Sequence, residues 1–126
     1  LTQKDALILL LSAVGYSSEE EDDLYYMAYY YNLLTEDERD PGKLMTRAQL
    51  IKMLIGATEY GPAAEIEGIY VCGFDDDARI PVQYYGYVAI AEGLGIIHGD
   101  ANNNFNPDSV ITRQDTAVIL YNYMSR

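Results

Sequence analysis

The chain has 126 residues, 49% of them apolar, with 20 Asp and Glu against 8 Lys and Arg, for a formal charge of −12. That length buries a core without disulfide or metal staples, and the apolar half excludes a disordered chain. The charge excludes a nucleic-acid partner, whose phosphates require a Lys/Arg surface, and equally excludes anionic lipid held by a basic patch.

The first element is a helix start. Thr2 and Asp5 stand at capping-box spacing, where a threonine hydroxyl accepts the amide three residues on. Ala6 to Leu11 continue as a strongly apolar, buried helix, and Gly15 stops it. The apolar run to Val14 is far too short to cross a membrane, so no membrane insertion is expected. No signal peptide is visible, and a chain that begins inside a helix start is expected to be a piece of a longer protein.

Ser17 or Ser18 is the expected N-cap of the next helix, and Glu19 to Asp23 place negative charge at its positive end. A solvated helix start is the ordinary explanation of that acidic run, with a cation site as the alternative. Leu24, Met27, Ala28, Tyr31 and Leu34 recur at helical spacing and are expected to face the core, leaving Tyr25, Tyr26, Tyr29 and Tyr30 on the other faces. The chain has 13 Tyr against 2 Phe and no Trp. Half-buried helix packing explains such a set, and so does a surface for carbohydrate or protein.

Thr35 to Met45 is a loop, after which Thr46 and Gln49 form a full capping box. Leu50, Ile51, Met53, Leu54 and Ile55 make the apolar helix behind it. Gly61 and Pro62 are expected to end a helix, Ile69 to Val71 to run extended, and Phe74 to Asp77 to turn. Cys72, the sole cysteine, excludes an internal disulfide and a cysteine-based zinc site. Val82 to Leu94 reads as a helix, with Tyr84, Tyr85, Val88 and Ala91 or Glu92 as inward candidates.

Gly95 stops that helix, Ile96 and Ile97 fold back as an apolar anchor, and Gly99 to Asn106 form an Asn-rich polar loop. Pro107 and Asp108 signal a turn. Thr112 then caps a last helix at Asp115, carrying Ala117, Ile119, Leu120, Tyr121 and Met124.

The three capping threonines lie 44 and 66 residues apart, so the pattern repeats without a strict period. Pro41 precedes Thr46 by five residues, as Pro107 precedes Thr112, and Asn32-Leu33-Leu34 stands where Gly95-Ile96-Ile97 does. No glycine or charge break marks a boundary, so one domain is expected.

Four groups are candidates for chemistry. Asp100, Asn102 and Asn104 have the oxygen spacing of a calcium loop, but the loop has Phe105 where glycine is needed and Ile111 where a bidentate acid is needed. No metal site is expected there. Asp75, Asp76 and Asp77 with Asp100 lack the placement that a glycosidase pair requires. His98 has no nucleophile with it and is given no role. Arg47 and Arg113 each follow a capping threonine, where free amides and a guanidinium fork together suit an anion. The competing reading pairs each with a nearby acid: Asp37, Asp40, Asp108 or the Asp75–Asp77 group.

The stretch from Phe74 to the C-terminus resembles the S-layer homology family. The resemblance rests on Phe74 and Asp76, on Gly95-Ile96-Ile97-His98-Gly99, on Phe105-Asn106-Pro107, and on Ile111-Thr112-Arg113-Gln114-Asp115. Thr46-Arg47-Ala48-Gln49 repeats its helix start, whereas Gln3 stands where the family usually carries arginine. The resemblance implies an all-α fold of helix–loop–helix repeats in a pseudo-threefold bundle, with short extended segments allowed. On it, residues 1–16 are the second half of a first repeat, residues 17–60 a divergent second and residues 61–126 the third.

The resemblance further implies a non-enzymatic, cofactor-free module of a bacterial surface protein at the cell wall. Its ligand would be an acidic secondary cell-wall polysaccharide linked to peptidoglycan, and other surface proteins are further partners to consider. Carried over by position, the ligand-binding residues would be Arg113, Thr112, Gly99 and Asp76, with Arg47 and Thr46 in the divergent unit. The alternative is a degenerate module that has lost the glycan and serves as a protein-interaction or spacer domain through Tyr25 to Tyr31.

Overall fold

Each capping threonine starts a helix, and the residues just ahead of the three threonines bind one another. In the computed structural model, which describes residues 1–126, the Leu1 nitrogen donates to the Ile111 carbonyl at 3.1 Å. The Ile111 amide donates to the Met45 carbonyl at 2.8 Å, and the Met45 amide returns to Leu1 at 2.9 Å. Three links close a ring of approximate threefold symmetry.

From this ring run α1 (Gln3–Ala13), α3 (Arg47–Gly56) and α6 (Arg113–Met124), capped by Thr2, Thr46 and Thr112. The hydroxyl of each accepts an amide three residues on, at 3.1–3.2 Å. At Thr46 the Gln49 side chain completes the box by accepting the Thr46 amide. Between them lie α2 (Glu21–Tyr30), the four-residue α4 (Gly61–Ala64) and α5 (Val82–Gly93), with single 3-10 turns at Glu36–Glu38 and Asp77–Arg79. The protein is all-α, without a sheet. No helix is long and apolar enough to cross a membrane.

α1 packs on α2 and α6, while α3, α4 and α5 pack together. One cluster of 29 buried side chains runs through all of them, including Leu7, Leu11, Ile51, Ile55, Val88, Ile96, Phe105 and Ile111. The anchors Leu33, Leu34, Ile96 and Ile97 are all buried, behind Asn32 and Gly95, which both take positive φ.

Three local expectations need correction. The α2 N-cap is Glu20, and Ser18 instead accepts the Glu20 amide in the turn before the helix. Tyr25, expected on an outer face, is fully buried, whereas Tyr31 is exposed. The cause is that α2 ends at Tyr30, so helical phase no longer governs Tyr31. Gly61-Pro62 opens α4 rather than ending a helix, with the proline in the first turn where it forfeits no hydrogen bond. Ile69 to Val71 lie outside any helix and pair with no strand, which leaves the expected extended run as a loop segment.

Candidate functional site

A groove of about 410 Å³ lies between the start of α3, the loop after Ile97 and the outer side of α6. The loop is built by short polar side chains. Asp100 accepts the amides of Asn102 and Asn104 at 2.9 and 3.0 Å on one oxygen and the Asn106 side-chain amide at 3.0 Å on the other. These bonds favour the carboxylate and hold Asp100 below its ordinary pKa. Asn103 and Asn106 take the positive φ that asparagine tolerates. Gly99 is needed for close approach, because a Cβ there would lie 2.8 Å from the Asn103 Cα.

Asp76 braces this loop from outside it. Its two oxygens accept the Phe105 and Asn106 amides, each at 2.8 Å. Asn103 in turn donates to the Gly73 carbonyl at 2.8 Å, and the Phe74 and Phe105 rings lie 5.5 Å apart beneath. Gly99 lines the groove; Asp76 does not.

Arg47 forms the opposite wall. Its Nε–H donates to the Phe105 carbonyl at 2.8 Å, and its guanidinium lies 5.2 Å from the Phe105 ring centre. No carboxylate comes within 4.0 Å of it, so none of the acids considered as partners pairs with it. Burial pushes its pKa down, against the attraction of Asp115, Asp100 and Asp76, and an arginine so placed stays charged. The free amides expected beside it are occupied: Arg47 donates to the Ser109 carbonyl at 3.0 Å and Ala48 to that of Pro107 at 3.2 Å. Only the guanidinium is left with unoccupied donors here. Thr46 is spent on its cap and lies outside the groove.

Arg113 and Thr112 lie elsewhere. The Arg113 side chain is 64% exposed, 3.6 Å from Asp5 across the α6–α1 junction, and does not line the Arg47 groove. Thr112 is exposed and caps its own helix. The six candidates thus divide. Arg47 and Gly99 meet in one groove, Asp76 supports its loop, Thr46 and Thr112 cap helices, and Arg113 faces a different junction.

Gln3, which stands where the family usually carries arginine, has contacts of its own. It is buried; its carbonyl accepts the Tyr25 hydroxyl at 2.5 Å and the Asp40 amide at 2.7 Å, and its Nε2 donates to the Glu38 carbonyl at 2.9 Å. It thereby holds the shortened loop as Arg47 holds the longer one.

A model of the S-layer homology domain matches residues 73–117, from the Phe74 turn through α5 and the loop into α6. The chain is 31% identical over 86 residues to exoglucanase XynX of Acetivibrio thermocellus, covering 68% of this chain and 8% of that protein. It is equally 31% identical over 86 residues to an amylopullulanase of Thermoanaerobacterium thermosulfurigenes, covering 68% of this chain and 5% of that protein. With a surface-layer 125 kDa protein of Lysinibacillus sphaericus it shares 32% over 83 residues, covering 64% of this chain and 7% of that protein. The chain therefore spans less than a tenth of each of these relatives. No solved structure matches it at a significant level. Residues 73–117, which carry the groove loop and the start of α6, belong to the S-layer homology family.

Proposed function

We propose that the chain is a non-catalytic module that anchors a bacterial protein non-covalently to the cell surface. It works as one unit of half a repeat (1–16), a divergent repeat (17–60) and a full repeat (61–126). Its ligand is an acidic secondary cell-wall polysaccharide taken into the Arg47 groove. The observation that carries this reading is the state of Arg47: half-buried, fixed through Nε, and without a carboxylate within 4.0 Å. A desolvated guanidinium with free donors gains most from a ligand oxyanion. The neighbouring Asp100 and Asp115 restrict where such an anion fits, which favours an acidic polysaccharide with sparse charge over a densely charged one.

A second reading has one observation in its favour. Tyr26 and Tyr30 are 68% and 69% exposed one turn apart on α2, a surface suited to a protein partner. Tyr25 takes no part in it, being buried. Co-sedimentation with purified sacculi separates the two readings. Sedimentation with polysaccharide-bearing sacculi and release from stripped ones supports anchoring through the glycan, while sedimentation with neither favours the protein surface.

A further inference from the structure

Between α4 and the turn at Asp77–Arg79 runs the loop segment Ile69–Val71, which lies ahead of the residues matched to the S-layer homology model and lines no part of the Arg47 groove. From Ile69 to Phe74 burial alternates residue by residue, which is the period of a strand. Ile69 and Val71 are 62% and 86% exposed, whereas Cys72 and Phe74 lie in the core. We propose that this segment is an open strand edge. An extended, apolar segment of another protein, flanked by lysine or arginine, pairs with it through its backbone.

Three observations converge. First, the amides and carbonyls of Ile69, Tyr70 and Val71 make no hydrogen bond within the chain, although the segment itself is pinned. The Tyr70 hydroxyl donates to the Ala63 carbonyl. The Cys72 amide donates to the Tyr85 hydroxyl oxygen at 2.9 Å, and the Gly73 amide to the Glu92 carboxylate at 2.8 Å, both on α5. A partner strand thus meets free backbone groups on a segment already fixed at both ends, which lowers the ordering cost of pairing. Second, an edge left to solvent is ordinarily blunted by lysine, proline or a bulge. Here β-branched Ile69 and Val71 stand outward instead, and exposed Ile66 and Val82 line a groove of about 360 Å³ beside them. Third, the only charged residues lining that groove are Glu67 and Asp77. Their field selects a partner with cationic flanks and opposes a second copy of a chain that carries −12.

The test is an amide NMR titration of the whole chain with a capped heptapeptide of alternating valine and threonine that carries a lysine at each end. Saturable shifts from Ile69 to Cys72, with slowed hydrogen exchange at Ile69–Val71, are expected. The same peptide with glutamate ends should bind at least about fivefold more weakly at low salt, as two exposed attractions turned into repulsions imply. A peptide N-methylated at each valine and threonine should lose about fivefold or more, the worth of one backbone hydrogen bond. Val71→Pro removes an amide that has no partner within the chain, and should weaken binding by as much. Should that variant fail to fold, Ile69→Ser combined with Val71→Ser changes only exposed side chains and should weaken binding likewise. Equal binding of the glutamate-ended or N-methylated peptide, shifts confined to other residues, or an unchanged titration in the folded variant each overturn the edge. Sedimentation equilibrium of the chain alone should give a monomer. A dimer that Val71→Pro dissolves would make the occupant a second copy and overturn the proposed partner.

Discussion

The Arg47 Nε–H donates to the Phe105 carbonyl at 2.8 Å, across 58 residues of sequence. The side chain that faces the groove therefore also holds down the loop that forms it. Arg47→Lys keeps the charge but loses the planar donor, and is expected to cost about 1 kcal/mol of stability, the worth of one hydrogen bond. Urea unfolding of the two proteins measures this. No loss of stability would mean that the loop stands without Arg47.

Gly99→Ala is expected to destabilise the protein by about 1–3 kcal/mol, as overpacking does. Its new Cβ would lie 2.6 Å from the Asn103 Oδ1 and 2.8 Å from the Asn103 Cα, so the backbone must move. Gly42→Ala is the control, since nothing lies within 4 Å of a Cβ there. Thermal unfolding should lower the midpoint by several degrees for the first variant and barely move it for the second.

Asp76→Asn replaces one acceptor oxygen with an NH₂ facing a backbone N–H. Both present oxygens accept amides at 2.8 Å, so the expected cost is about 1.5–3 kcal/mol, the range for a hydrogen bond to a charged group. Amide hydrogen exchange at Phe105 and Asn106 should accelerate together. Exchange unchanged at both residues would show that Asp76 does not brace the loop.

Alkaline pH should expose the buried tyrosines. Burial pushes the hydroxyls of Tyr25 and Tyr87 up to about 12 from the ordinary 10.0. Raised values in the folded state mean that the native protein holds these protons longer than the unfolded chain does. The stability they contribute is therefore complete below pH 10 and falls as pH rises toward 12. A spectrophotometric titration should show these two ionising last, with unfolding in the same window. Tyr25→Phe should shift that unfolding to higher pH.

Much of the fold was legible because its signals are local. Thr2, Thr46 and Thr112 each bond an amide three residues away, and Asn32 and Gly95 each need only their own positive φ. What spans repeats was not legible. The ring through Leu1, Met45 and Ile111 joins residues as far as 110 apart, and nothing in any one segment announces it. For the same reason Arg47 and Arg113 read as equivalents, although one meets the loop of the next repeat and the other meets Asp5. The contacts of Gln3 with Tyr25, Glu38 and Asp40 likewise reach 22 to 37 residues along the chain, beyond any local signal.

Co-sedimentation of the wild type, Arg47→Ala and Arg113→Ala with polysaccharide-bearing sacculi tests the central claim most directly. Loss of a charge-assisted contact to a partly desolvated anion costs about 1.5–3 kcal/mol, or some tenfold to a hundredfold in affinity. Arg47→Ala is expected to lose that much. Arg113, 64% exposed and 3.6 Å from Asp5, is expected to change binding less than about threefold, as a surface ion pair would. Should Arg113→Ala abolish sedimentation while folded Arg47→Ala binds like the wild type, the Arg47 groove is not where the wall polymer is held.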